Sequence, residues 1–230
     1  MKSESIKQLE QYGHMLKQSG LDVVPCSLAA SQNVPSHQVD ISAETGRKES
    51  WLGLRKTVLQ CVQCSELAST RKTVVFGSGN ANAKLVFVGE APGFEEDVQG
   101  LPFVGRAGQL LTKMIEAIGF SRNDVFICNV LKCRPPGNRN PLPAEILNCQ
   151  PYLTQQLDII RPKVICALGS FAARTLLKSG APISQLRGKT YDYGTSKLIC
   201  TFHPAYLLRN PDDKRKAWED LKKVRNELSD

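Results

Sequence analysis

The chain has 230 residues, 41% of them hydrophobic, and carries 30 Lys and Arg against 22 Asp and Glu, a net charge of +8. That length holds one domain with a sizeable core, or one domain plus an extension. The basic balance favours a polyanionic partner such as DNA or RNA, and without an apolar run of about 18 residues no membrane-spanning helix is expected.

Residues 3–18 place Ile6, Leu9, Tyr12, Met15 and Leu16 at helical spacing between charges. This predicts an amphipathic helix, suited to packing on its own domain or to docking a protein partner. The opening stretch lacks the apolar core of a secretory signal, so a reducing cytoplasm is the expected setting. Residues 20–49 are polar, with Ser, Gln and Pro, and read as a disordered linker. The chain thus divides into a helix plus linker over 1–50 and a folded domain over 51–230.

A short helix is expected over 50–60, followed by Cys61-Val-Gln-Cys64. Leu85 to Val88 reads as a buried strand that breaks at Gly89, with Glu90-Ala91-Pro92-Gly93 as a tight loop. Residues 105–118 read as a helix, 124–130 as a strand ending near Asn129, and 134–143 as a Pro-rich loop. A helix over 144–160, limited by Pro162, leads to a strand over 163–168 and a short helix over 170–178. Two further strands are expected at 189–193 and 197–202, the second ending at His203-Pro204, and a final helix over 212–228. Strands alternating with helices imply βαβ units and a mostly parallel sheet covered on both faces. In such a sheet the strand ends share one edge, so Glu90, Asn129 and His203 should meet in one pocket.

Of the eight cysteines, Cys128, Cys166 and Cys200 sit inside apolar strands and read as core filler. Cys26, in the linker, carries no signal. Cys61, Cys64, Cys133 and Cys149 remain, a set that suits a structural zinc or a 4Fe–4S cluster. Spacing alone does not choose between them.

Six blocks stand together: Cys61-Val-Gln-Cys64, RKTVVFG at 71–77, GEAPG at 89–93 with Glu96 and Asp97, GLPFVGRAGQLL at 100–111, NVLKCRPPGNRNP at 129–141 and HPAYLLR at 203–209. Together they resemble the family 4 uracil-DNA glycosylases, the iron–sulfur branch of that superfamily, over roughly residues 51–228. The resemblance implies a three-layer α/β/α fold around a four-stranded parallel sheet. It implies a 4Fe–4S cluster on Cys61, Cys64, Cys133 and Cys149, with zinc as the alternative. It also implies hydrolysis of the glycosidic bond of deoxyuridine in DNA, the first step of base excision repair. The setting would be a bacterial or archaeal-type cell, with the protein a monomer on its DNA.

Roles follow from that resemblance. Phe103 is the expected stacking aromatic, and Asn129 the reader of the uracil edge, aided by the Ala91 backbone amide. His203 is expected to hydrogen-bond uracil O2 as charge builds there, and Glu90 to orient or activate water, with Asp97 a second candidate. Leu207 or Leu208 is expected to wedge into the gap left by a flipped base. Arg139 and Arg209, with Lys132 or Lys189, are expected to contact phosphates. Each has a plainer reading: a core Phe, a turn Asn, a capping carboxylate, leucines that begin the last helix's packing. Two rival functions share part of the pattern: a non-catalytic iron–sulfur protein bound to DNA or to a replication factor, and a related glycosylase for other deaminated bases. The first would need the basic loops but not Glu90, Asn129 and His203 together.

Overall fold

Four runs of β-branched and aromatic residues build the centre of the sheet. In the computed structural model, which describes residues 41–229, they are β2 (Leu85–Gly89), β3 (Phe126–Asn129), β4 (Val164–Leu168) and β6 (Ser196–Thr201). β2, β3 and β4 are buried at every position, as expected of parallel strands covered on both faces. The helix expected over 3–18 and the linker over 20–40 lie outside the described residues.

The sheet has six strands in the order β1-β3-β2-β4-β6-β5. The inner four are parallel, which is the core the sequence predicts. β1 (Ser78–Gly79) and β5 (Thr190–Tyr193) pair antiparallel at the two edges. β5 falls where a strand is expected, whereas β1 spans two residues and leaves no periodic signal.

The strand side chains alternate between two cores. Val86 and Val88 join Leu54 and Val58 of α1 (Ile41–Leu59) and Leu153 and Leu157 of α5 (Pro143–Ile160) on one face. Leu85 and Phe87 join Leu111 and Ile115 of α4 (Arg106–Ala117) and Leu221 and Val224 of α9 (Lys214–Ser229) on the other. Shorter helices complete the layers: α2 (Ser65–Thr70), α3 (Phe94–Gln99), α6 (Gly169–Leu177), α7 (Ile183–Leu186) and α8 (Pro204–Arg209).

α1 corrects the linker boundary, since it begins at Ile41 rather than near 50. The sequence there, ISAETGRKES, is rich in helix formers but has no apolar stripe for periodicity to register. Its Trp51 ring lies edge-on to Phe76 and Phe126, with centroids 5.0 and 5.2 Å away.

One buried network fixes the end of β6. Asp220 of α9 accepts from Thr201 Oγ1 at 2.8 Å and takes a fork from Arg187 at 2.8 and 2.9 Å. Thr201 is two residues before His203, so the fork anchors the segment that presents the imidazole. Asp220→Ala would leave the Arg187 guanidinium without its buried carboxylate, a loss of about 3 kcal/mol or more. The variant should melt well below the parent in a circular dichroism scan, and an unchanged midpoint would contradict this assignment.

Candidate active site

The carboxyl ends of the parallel strands open into a cavity of about 440 Å³. Glu90 lies just past β2, Asn129 ends β3 and His203 follows β6, and all three line it. Ala91, Phe103, Arg139 and Arg209 line it too. The convergence expected from strand topology is therefore met.

Gly89 sets how closely the walls approach. A Cβ there would run into Asn129 Oδ1 and the tip of the Phe103 ring, so only glycine lets these two groups share the end of β2. Phe103 is buried with φ +53°, a conformation that costs a non-glycine residue about 1–3 kcal/mol. Its neighbours hold it there. Glu96 accepts from the N–H groups of Gly93, Val104 and Gly105 at 3.1, 2.9 and 3.1 Å, which closes the 93–105 loop on one carboxylate. Arg122 donates to the Pro102 carbonyl at 2.8 Å. The Phe103 and His203 rings lie 5.6 Å apart, tilted by 33°.

His203 has a defined tautomer. Its Nδ1 accepts from the Ala205 backbone N–H at 3.1 Å, so a neutral ring carries its proton on Nε2 as a donor. Burial of the ring pushes its pKa down to about 4, helped by the positive charge of Arg209 and opposed by Glu96. Burial acts oppositely on Glu90 and raises its pKa above the ordinary carboxylate value. Among the described residues, Asn129 Oδ1 is the buried side-chain polar atom left without a partner. It is a free acceptor in the cavity wall, the kind of group that a bound ligand satisfies.

Four of the expected roles need correction. Leu207 is 1% exposed and belongs to the core between α4 and α9, whereas Leu208 is 38% exposed. A side chain that fills the core is not free to enter a base stack, which leaves Leu208 as the wedge candidate. Arg139 lines the cavity, but its guanidinium is held by Glu145 at 2.6 and 3.0 Å and by Glu66 at 2.8 Å. It ties the Pro-rich loop to α2 and α5 rather than standing free for phosphate. Lys132 is buried and bonded inside the protein, so it reaches no phosphate either. Asp97 is buried, and its carboxylate accepts from the N–H groups of Lys72 and Thr73 at 2.9 and 3.2 Å, a structural role. Arg209 lines the cavity and enters no ion pair among the described residues.

Sequence reasoning passed over Glu96, Asn138 and Tyr206, which also line the cavity. The signal for Glu96 was available: a Glu three residues after Gly93 at a helix start is a capping pattern.

Cys61 and Cys64 stand in the turn between α1 and α2, Cys133 follows β3 and Cys149 lies in α5. None is in a disulfide. The four act on one another electrostatically, and two of the sulfurs have a side-chain donor from this chain. Arg71 donates to Cys133 at 3.0 Å and Asn148 to Cys64 at 3.5 Å. Among the described residues, no three such donors are grouped to hold a single metal ion. Donors of this kind nevertheless suit thiolates that bind a metal group. Burial pushes the free Cys149 thiol up to about 11, so a thiolate there needs a metal's charge.

A family profile described as the Uracil DNA glycosylase superfamily matches residues 76–222. A type-4 uracil-DNA glycosylase of Archaeoglobus fulgidus is 45% identical over 184 residues, covering 76% of this chain and 92% of the relative. Another, of Saccharolobus solfataricus, is 47% identical over 75% of this chain and 83% of its own. A third, of Thermotoga maritima, is 45% identical over 78% and 95%.

The His203 assignment can be read directly by NMR. Its imidazole should titrate near pH 4, where an unperturbed histidine would titrate near 6.5. Arg209→Ala should move the midpoint up and Glu96→Gln should move it down. A midpoint near 6.5 would contradict the enclosed, Nδ1-bonded ring.

Proposed function

The chain belongs to the uracil DNA glycosylase superfamily, is an enzyme that hydrolyses the N-glycosidic bond of uracil in DNA, and so serves DNA repair; we propose how its residues carry out that reaction. The observation that carries the reading is the free Oδ1 of Asn129, buried at a cavity that Phe103 also lines.

A glycosylase must take its base out of the stack. Leu208, exposed at the end of α8, fills the gap that the base leaves. Phe103 covers the face of the uracil ring. Asn129 Oδ1 accepts from uracil N3–H and its Nδ2 donates to O4, with the Ala91 N–H as a further donor. Cytosine offers an acceptor and a donor in the reverse order, so it leaves both amide groups unpaired.

Breaking the bond sends its electron pair onto uracil and leaves positive charge on the sugar. His203, neutral with its proton on Nε2, donates to O2 as that oxygen becomes negative. Because the ring starts neutral, this is a hydrogen bond to an anion rather than a full proton transfer. Glu90, at the end of β2, stabilises the sugar cation and takes a proton from the water that adds to C1′. Arg209 contacts a phosphate at the cavity mouth. The reading is completed by a monomer in a reducing cytoplasm, the compartment that free thiols among the described residues suit.

Cys61, Cys64, Cys133 and Cys149 would hold a 4Fe–4S cluster, whose Fe–S bonds would tie the 61–64 turn and the segment after β3 to α5 and would take no part in the hydrolysis. The Arg139 fork extends that crosslink to the loop lining the cavity.

Two tests follow from these roles. Excision requires Glu90 ionised and His203 neutral, so both fail as pH falls. Glu90 has the higher pKa and sets the acid limb of single-turnover excision, above the ordinary carboxylate value. Glu90→Gln should lower the rate about 100-fold and move the remaining acid limb down towards that of His203. Full excision by this variant would end the base role. The cluster is tested by purification away from oxygen. The protein should be brown, with equal iron and inorganic sulfide, and Cys149→Ala should lose both. A colourless protein containing zinc would replace the iron–sulfur assignment.

A further inference from the structure

A lysine is almost never fully buried without an opposite charge. Lys132 is 1% exposed, and none of the ion pairs among the described residues includes it. Its Nζ donates to the main-chain carbonyl of Asn129 at 2.7 Å and to Gln156 Oε1 at 2.6 Å. Gln156, fully buried on α5, passes the link on, since its Nε2 donates to the Phe76 carbonyl at 2.9 Å. The Lys132 main chain is also held, with its carbonyl accepting from Val75 N–H at 2.8 Å.

These bonds converge on the residue that most needs them. Asn129 is the last residue of β3, where the ladder to β2 is running out. Beyond it, Val130 and Leu131 donate to the carbonyls of Gly89 and Glu90, both at 3.0 Å. The Asn129 carbonyl itself is taken by Lys132. Two bonds from a donor on a stem packed in the core fix the peptide that carries the Asn129 amide, which reduces the ordering required on binding.

We propose that Lys132 and Gln156 are positioning residues for uracil recognition, acting through the Asn129 backbone; this rests on the role given to Asn129 above. Neither residue touches the base. Their effect should appear as uracil affinity, not as affinity for DNA in general.

The test measures inhibition by free uracil and, separately, affinity for duplex DNA carrying an abasic site, each with the active-site fraction titrated. Lys132→Met and Gln156→Leu should each weaken uracil inhibition about 10-fold and leave abasic-site affinity within about twofold. Gln156→Glu keeps an acceptor for Lys132 and loses only the donor to Phe76, so it should retain uracil inhibition. Asn129→Leu is the control on the underlying reading. If it weakens uracil inhibition while folded Lys132→Met and Gln156→Leu do not, the positioning role is overturned and the reading of Asn129 stands. If Asn129→Leu has no effect, the reading itself fails. Should the first two variants prove too unstable to assay, Gln156→Asn, whose shorter side chain no longer reaches Lys132, decides: weakened uracil inhibition with abasic-site affinity kept would support the clamp, and parental inhibition would contradict it.

Discussion

One carboxylate holds the cavity at the strand ends closed on its loop side. Glu96 gathers three backbone N–H groups from a segment that has no strand or helix partner for two of them. N–H groups withdrawn from water without acceptors are costly, and Glu96 satisfies these three where they are partly buried. That solution places Phe103 in a left-handed conformation beside Gly89. The strain at Phe103 is local, and the bonds that balance it come from a residue seven positions earlier in the chain. The aromatic wall is thus a consequence of main-chain hydrogen bonding as much as of side-chain packing.

A second set of constraints comes from the opposite side. Arg139 forks between Glu66, two residues beyond Cys64, and Glu145, four residues before Cys149. The Pro-rich loop is therefore tied to both helix starts that carry these cysteines. Lys132 adds a link between the end of β3 and α5. The thiol cluster and the cavity share these braces although the cysteines lie outside the cavity lining.

The sheet and the main pocket were legible because their signals are local. Four short apolar runs, each ending in Gly, Asn or His, give the strand order's parallel core and the edge where side chains meet. The errors arose where a role depends on partners distant in sequence. An Arg in a Pro-rich basic loop looks free for phosphate until Glu66, 73 positions away, is seen against it. A Lys beside Cys133 looks exposed because hydropathy places ammonium groups in water. Leu207 and Leu208 are neighbours, and only the docking angle of α8 decides which one meets the core. The start of α1 was hidden because its first turns carry no apolar stripe.

Gly89 has a consequence for how this fold can change its substrate. In the proposed reading the space for the base is a gap at the end of a central strand, bounded by an amide from β3 on one side and a loop aromatic on the other. Neither wall can retreat by shortening a side chain at position 89, because there is none to shorten. A larger base would have to be admitted by reshaping the 93–105 loop. Scope in this architecture should therefore diversify through loop length and loop hydrogen bonding, while the strand ends that face the base stay as they are.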